Sequence, residues 1–400
     1  MTQDSGALSG VRVLDFSQYY AGPVATHHLG MLGADIIKVE PLTGEAMRHD
    51  GSDEWSDAGL APGWAAFNLN KRSLALDIRT PAGLEIAKRL AADADVLCEN
   101  FRPGVMKRLG LDYPTVAELN DALIYCSVSG FGSTGPEGAT PAFDGKIQAM
   151  SGLMAVSGDA GTGPMRTGIA IADLITGLTS AFAISAALNQ RSTTGVGQHV
   201  DVSMFESVLS VLSDQVANYT MREEIRTGGG NRSVTGKPTA DRFATADGYL
   251  VLAALTDAQY DALLTALGLT ALEQDPRFVD WPSRIAHGST LHAVIQEVLS
   301  ARTTGEWTTI LDEAGVPFGP VLTVDQAVGR AQISHRGFLH TVQTPLGETR
   351  VAGQGFLMEH GARVAFEFAP TLGQHTDEIL IGIGYSEDEV RALRDSRIVG

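Results

Sequence analysis

Short apolar runs alternate with helix-like segments through the first 130 residues, and no other feature of the chain restricts its fold so tightly. Strands are predicted at residues 11–16, 34–39, 73–78, 95–98 and 122–128. Gly22-Pro23 opens a helix that ends near Leu32-Gly33, with Pro in the first turn, where its missing N–H costs little. Thr80-Pro81 reads as an N-cap followed by Pro, starting a helix through Leu90, and Pro103 to Leu109 reads as a short helix. Strands joined through helices do not pair as hairpins. The expected fold class is therefore α/β, with a doubly wound, mostly parallel sheet covered by helices on both faces.

After residue 130 the character changes. Gly- and Pro-rich loops fill 130–168, an apolar helix then runs to about Arg191, and a Thr/Gly turn at 193–197 leads through Val200-Asp-Val-Ser203 to a helix near 204–219. Residues 222–242 are polar and Gly-rich. A second unit follows, with a strand ending near Leu252, helices near 257–266, 290–301 and 304–315, then strand-like pieces at 338–353 and a helix near 386–395. At 400 residues the chain exceeds one ordinary core, so two domains are expected. We divide it into a large α/β domain over 1–195, to which 335–400 returns, a linker with a glycine loop over 196–242, and a smaller α+β domain over 243–334.

The formal charge of −18 makes a surface that repels nucleic acid and anionic membrane, so neither is an expected partner. A polyanionic ligand must find a local exception to that charge. Cys98 and Cys126 are the only cysteines, too few for a disulfide framework, and they fit a reducing, cytoplasmic setting. The polar, acidic N-terminus has no signal-peptide core. Residues 168–188 approach the length of a membrane span, but Asp173, two glycines and several Ser and Thr favour a buried helix. No Cys/His spacing suggests a metal.

Asp173 sits alone between an apolar run and a segment of small and apolar residues. No Lys, Arg or His lies within six residues on either side. A carboxylate so placed either caps a helix or does chemistry, and the two roles are compatible. Other catalytic signatures fail. Ser129 and Ser151 lack the preceding Gly of a nucleophile elbow, Gly161-Thr-Gly163 has no third Gly, and Gly236-Lys237-Pro238 lacks the Walker spacing. Lys38, Lys71, Arg72, Arg102, Lys107 and Arg108 gather near predicted strand ends, where open α/β sheets bind ligands.

A series of short blocks runs along nearly the whole chain. They include Leu8-Ser-Gly-Val-Arg-Val-Leu-Asp-Phe16, Leu32-Gly-Ala-Asp-Ile-Ile-Lys-Val-Glu-Pro41, Asn70-Lys-Arg-Ser73 and Glu99-Asn-Phe-Arg-Pro-Gly104. Ser129-Gly-Phe-Gly132, Phe143-Asp144, Ile171-Ala-Asp-Leu174 and Gly373-Gln-His-Thr-Asp-Glu378 follow. In this order they resemble the family III CoA-transferases, the group of formyl-CoA transferase, carnitine CoA-transferase and α-methylacyl-CoA racemase.

The resemblance implies that Asp173 is the nucleophile, forming a mixed anhydride with an acyl-CoA and then an aspartyl-CoA thioester from which a carboxylic acid takes the CoA. It implies CoA as a thioester substrate and not a resident cofactor, an acyl-CoA and a small carboxylic acid as partners, and an interlocked homodimer. Gln18 and Tyr20 fall where the family holds residues near the thioester. Lys38, Lys71, Arg72, Arg102, Arg108 and Ser129 become candidate CoA contacts, with Arg72 and Arg108 favoured for its phosphates. Gly229 and Gly230, in the Gly228-Gly-Gly-Asn231 stretch, read either as part of a lid over the substrate or as a flexible linker. Two departures stand out. Phe143 occupies the position of the racemase histidine and cannot take a proton, and Tyr20 replaces the Gln of formyl-CoA transferase, which reshapes the substrate pocket. A racemase with another base, and a CoA-ester binding protein without turnover, are the competing readings.

Overall fold

β1 (Arg12–Asp15) is paired on both edges, and that places it inside the sheet. The computed structural model describes residues 6–361 and 365–400, which divide into two units. The first comprises residues up to 153, 166–223 and 332–400. It holds β1, α1 (Ala21–Gly30), β2 (Asp35–Glu40), β3 (Lys71–Ala75), α2 (Pro81–Ala92) and β4 (Val96–Glu99). It continues with α3 (Val105–Leu109), β5 (Ile124–Ser129), α4 (Asp144–Met150), α5 (Ile171–Thr194), β6 (Gln198–Ser203) and α6 (Met204–Val211).

The six strands form one parallel sheet in the order β3-β2-β1-β4-β5-β6. Its strands are short, and those at the centre are buried on both faces, hence the near-continuous apolar runs. Successive residues point to opposite faces. Leu14, Ile37 and Leu74 pack with α2 residues Ile86 and Leu90 in one core, while Val13, Ile36 and Val96 pack with Leu29 of α1 and Ile184 of α5 in another. Thr80 caps α2 as expected, its Oγ1 accepting the Gly83 N–H at 3.0 Å.

Residues 198–223, expected within a linker, supply β6, α6 and the helix Ser213–Arg222 to this unit. The alternating exposed and half-buried residues of β6 belong to a sheet edge. The tail returns through helices Thr376–Gly382 and Glu387–Asp395, and Val399 bridges Leu76 beside β3. α5 is long and apolar enough to cross a membrane by composition, but it packs Ala172, Thr176, Gly177, Ser180 and Ile184 inward against the unit. Gly177 permits the contact with α1, since a Cβ there would lie 2.5 Å from the Val24 side chain.

The second unit comprises residues 154–165 and 224–331. Its antiparallel sheet joins β7 (Arg242–Ala244), β8 (Tyr249–Leu252) and β9 (Phe318–Pro320), with β8 central. Helices Asp257–Leu267, Gly288–Leu299 and Thr304–Glu313 bury Phe243, Tyr260, Leu291 and Trp307 with it. The first unit also carries the hairpin β10 (Leu339–Thr344) and β11 (Gly347–Ala352).

Candidate active site

The strand order reverses between β1 and β4, and the crevice beyond the carboxyl ends of two such strands is where open α/β sheets bind ligands. Here the loops after β1 and β4 are tied to each other. The Gln18 N–H donates to Asn100 Oδ1 at 2.8 Å, and Asn100 Nδ2 donates to the Gln18 carbonyl at 2.7 Å. Tyr19 turns the chain with a left-handed φ of 63°, so that Tyr20 stands at the N-cap position of α1, without a capping side-chain bond, and lines the crevice. Gly22 is required at this turn, because a Cβ there would meet the Ser17 Cβ at 2.2 Å.

Two cavities share the walls made by Gln18, Phe101 and Val105. One, of about 650 Å³, is lined by Tyr20, Arg102, Ser129, Phe143, Arg166 and Asp173 among others. The other, of about 580 Å³, lies over the ends of β2 and β3 and contains Arg79 and Arg108. Both are within the size range of ligand pockets.

Asp173 is the third residue of α5 and not its cap. The N-cap position is Ala170, which has no capping side chain. Asp144, the first residue of α4, does that work, its Oδ1 accepting the Ala172 N–H at 2.8 Å. Asp173 is left facing the cavity, and its carboxylate accepts no hydrogen bond from the described residues. A helix N-terminus by itself favours the charged form of a carboxylate in its first turn. Instead, burial and then the like charge of Asp144 push Asp173 up to about 7. Its ionisation is thereby poised near neutrality.

The basic residues separate into two groups. Arg102 and Arg108 follow β4 at the ligand end of the sheet, one in each cavity, and neither forms an ion pair among the described residues. Lys71 and Arg72, by contrast, open β3 and do not close it. Lys71 is fully buried, with Nζ 3.0 Å from Asp15 Oδ2 and 2.8 Å from Thr26 Oγ1. Burial alone would raise Asp15, but Lys71, Lys38 and hydroxyls from Ser17 and Thr26 hold it at about 2. Lys38 is also fully buried, donating to the Ser17 carbonyl at 2.9 Å and pairing with Glu45. Arg72 makes a fork on Asp35 and reaches Glu378. Lys38 and Lys71 therefore support the loops and are not free to hold a phosphate, and Arg72, paired at the starts of β2 and β3, lines neither cavity, which corrects the expectation for all three. Lys107 lines neither cavity.

Of the other expected residues, Gln18 borders both cavities, and Tyr20, Phe143 and Ser129 border that of Asp173. Phe143 is 67% exposed, and Ser129 Oγ is buried without a partner among the described residues. Gly229 and Gly230 belong to the second unit, where the Gly228 and Gly230 N–H groups bond to the carbonyls of Ala155 and Gly158. Sequence reasoning passed over Asn100, Asp144 and Arg166 as site residues. Arg166 lies seven residues before Asp173, just beyond the window that made Asp173 look isolated.

A family model described as CoA-transferase family III matches residues 8–376. An acyl-CoA transferase from Fusarium pseudograminearum is 34% identical, the match covering 100% of this chain and 89% of that protein. The succinyl-CoA:glutarate CoA-transferase of Mus musculus is 33% identical over 98% of this chain and 90% of its own length. The crystal structure of a CAIB/BAIF family protein from Brucella suis superposes with a TM-score of 0.86 at 32% identity, covering 95% of this chain and 100% of that one.

Proposed function

Because the chain belongs to CoA-transferase family III, we propose that it moves CoA from an acyl-CoA thioester to a carboxylic acid through covalent intermediates on Asp173. The Asp173 carboxylate attacks the thioester carbonyl and expels CoA thiolate, leaving an acyl–aspartyl anhydride. The thiolate then attacks the Asp173 carbonyl of that anhydride, releasing the donor acid and forming an aspartyl-CoA thioester. The incoming carboxylate attacks this thioester, expels the thiolate and makes a second anhydride. Attack of the thiolate on the acceptor's carbonyl yields the new acyl-CoA and returns Asp173 to its starting state.

The observation that carries this reading is the Asp173 carboxylate itself, open to a cavity, without a hydrogen-bond partner among the described residues and poised near neutral pH. A bound carboxylate would be blunted by its donors; this one is not. The neighbouring cavity, with Arg108 and Arg79 at its walls, suits the phosphorylated end of CoA, while Gln18 and Tyr20 flank the thioester. CoA serves as substrate and not as a resident cofactor. An α-carbon isomerase would need a second base. Phe143 cannot be one, and Asp144 beside it is already committed to Ala172, Gln148 and Arg166.

Mass spectrometry after mixing with acetyl-CoA and quenching in hydroxylamine is the test. A hydroxamate on Asp173, absent from Asp173→Ala together with turnover, is the expected result; full turnover in Asp173→Ala overturns the mechanism. The same reading includes a homodimer. Leu178 and Phe182 of α5 are 54% and 76% exposed, an apolar face suited to a second copy, and sedimentation as a stable monomer would remove this part of the reading.

A further inference from the structure

Two cations line the Asp173 cavity, Arg102 and Arg166. Arg102 sits next to Phe101 on the wall shared with the neighbouring cavity. Arg166 belongs to the segment that leads into α5, and its position is built by a buried frame. Asp144, only 8% exposed, accepts from Arg166 Nη2 at 3.3 Å and from Gln148 Nε2 at 2.6 Å through one oxygen, while its other oxygen holds the Ala172 N–H at 2.8 Å. Gln148 Oε1 in turn accepts the Thr167 N–H at 3.1 Å. The guanidinium and the Asp173 carboxylate are thus hung from one set of hydrogen bonds.

The space beside Arg166 is also specific. A Cβ on Gly145 would stand 3.3 Å from the guanidinium carbon, a tight approach, and 3.5 Å from the Phe143 ring, an ordinary contact, so a side chain there would press on the guanidinium. With the Arg166 side chain 59% exposed, most of its N–H fork remains unspent after the single contact to Asp144. In a chain of net charge −18, a cation fixed in this way is the kind of local exception an anionic substrate needs.

We propose that Arg166 receives the second carboxylate of a dicarboxylic acid whose first carboxylate reacts at Asp173. The proposal rests on the nucleophilic role of Asp173 given above and adds the substrate class. The guanidinium fork matches a carboxylate in two parallel N–H···O bonds, which an ammonium cannot reproduce. An acid of equal length with an uncharged tail leaves the fork unpaired, and discrimination by a lost charged contact exceeds that by a methylene. The exposed Phe143 ring lies beside the guanidinium, where it can cover the methylene chain between the two carboxylates.

The test uses acetyl-CoA as donor, which carries no second carboxylate, and compares a series of α,ω-dicarboxylic acids with their monomethyl esters as acceptors. For the best diacid, wild-type kcat/KM should exceed that of its ester at least tenfold. Arg166→Gln should bring that ratio close to one, chiefly through KM for the diacid, and Arg166→Lys should leave an intermediate ratio. A wild-type ratio near one for every pair overturns the proposal without any variant, and so does an Arg166→Gln ratio equal to wild type. Trapping of the acetyl group on wild-type Asp173 in the absence of acceptor separates the two levels. An adduct with unchanged ratios defeats the role of Arg166 alone, whereas no adduct defeats the reading on which it rests.

Discussion

Asp144 Oδ1 accepts the Ala172 N–H at 2.8 Å, so one aspartate caps the helix that presents another. The division of labour explains the state of Asp173. A carboxylate that satisfied the helix N-terminus would be held down by the bond and poorly nucleophilic. Burial is the larger cause of its raised pKa, and moving the cap to a different chain segment leaves Asp173 unbonded among the described residues and adds the like charge of Asp144, which raises it further.

The first prediction follows from that like charge. In the proposed mechanism Asp173 reacts as the anion, so the rate of adduct formation from acetyl-CoA should rise with pH through about 7. Replacing Asp144 by Asn keeps an oxygen for the Ala172 N–H but removes the charge. The acid limb should therefore move to lower pH, by about half a unit to one unit. Single-turnover rates from pH 5 to 9 measure it. A limb that stays in place would show that burial, the larger cause, acts alone.

The raised pKa also has a cost in stability. Protons bind Asp173 more tightly in the folded chain than in the unfolded one, where the carboxyl titrates near about 4. The cost is absent below that value, where both states are protonated, grows as pH rises, and is complete above about 7. Asp173→Asn should therefore be more stable than wild type at pH 8 and equal to it at pH 4. Because the carboxylate has an open side toward the cavity, the gain is on the order of 1–2 kcal/mol, a fraction of the full shift. Urea unfolding at the two pH values checks it, and equal stability at pH 8 would contradict the burial of charge at this site.

The central strands were legible because burial on both faces writes itself as apolar runs, as in Val96-Leu97-Cys98. The edge strand β6, Gln198–Ser203, is half-exposed and reads as a polar connection, so its membership in the sheet was not legible as part of the large domain. At the site, Asp173 stood out through isolation, Phe143 and Arg102 through their blocks, Gln18 and Tyr20 through the family resemblance, and Arg108 as a basic residue near a strand end. Lys38, Lys71 and Arg72 misled for a specific reason. A basic residue near a strand end has the same appearance whether it faces a ligand or a buried carboxylate, and only the fold shows that Lys71 starts its strand and reaches Asp15. Arg166 was passed over because its partner, Asp144, is distant in sequence.

The reassignment of Lys71 has a measurable consequence. Removing it leaves Asp15, fully buried and held at about 2, without its nearest counter-charge. Breaking a buried pair from one side costs about 3–5 kcal/mol. Lys71→Met should lower the urea midpoint by a corresponding amount at pH 7. The deficit should shrink below pH 4, as the unpaired Asp15 takes up a proton in the variant. A variant of wild-type stability with a raised KM for acyl-CoA would restore the phosphate-binding role.

Arg108 should behave in the opposite way. It follows β4 at the ligand end, lines the cavity next to that of Asp173 and forms no ion pair among the described residues, so the fold loses little when it is truncated. A charged hydrogen bond to phosphate is worth about 1.5–3 kcal/mol, or roughly 10- to 150-fold in affinity. Arg108→Ala should therefore raise KM for acetyl-CoA by at least tenfold with little change in the urea midpoint. The decisive comparison is with acetyl-pantetheine, which has the thioester but no phosphate. Its kcat/KM should be the same in wild type and Arg108→Ala, because the missing contact is already absent from the substrate. An equal loss with both thioesters would place Arg108 in support of the cavity wall and remove it from recognition of the nucleotide end.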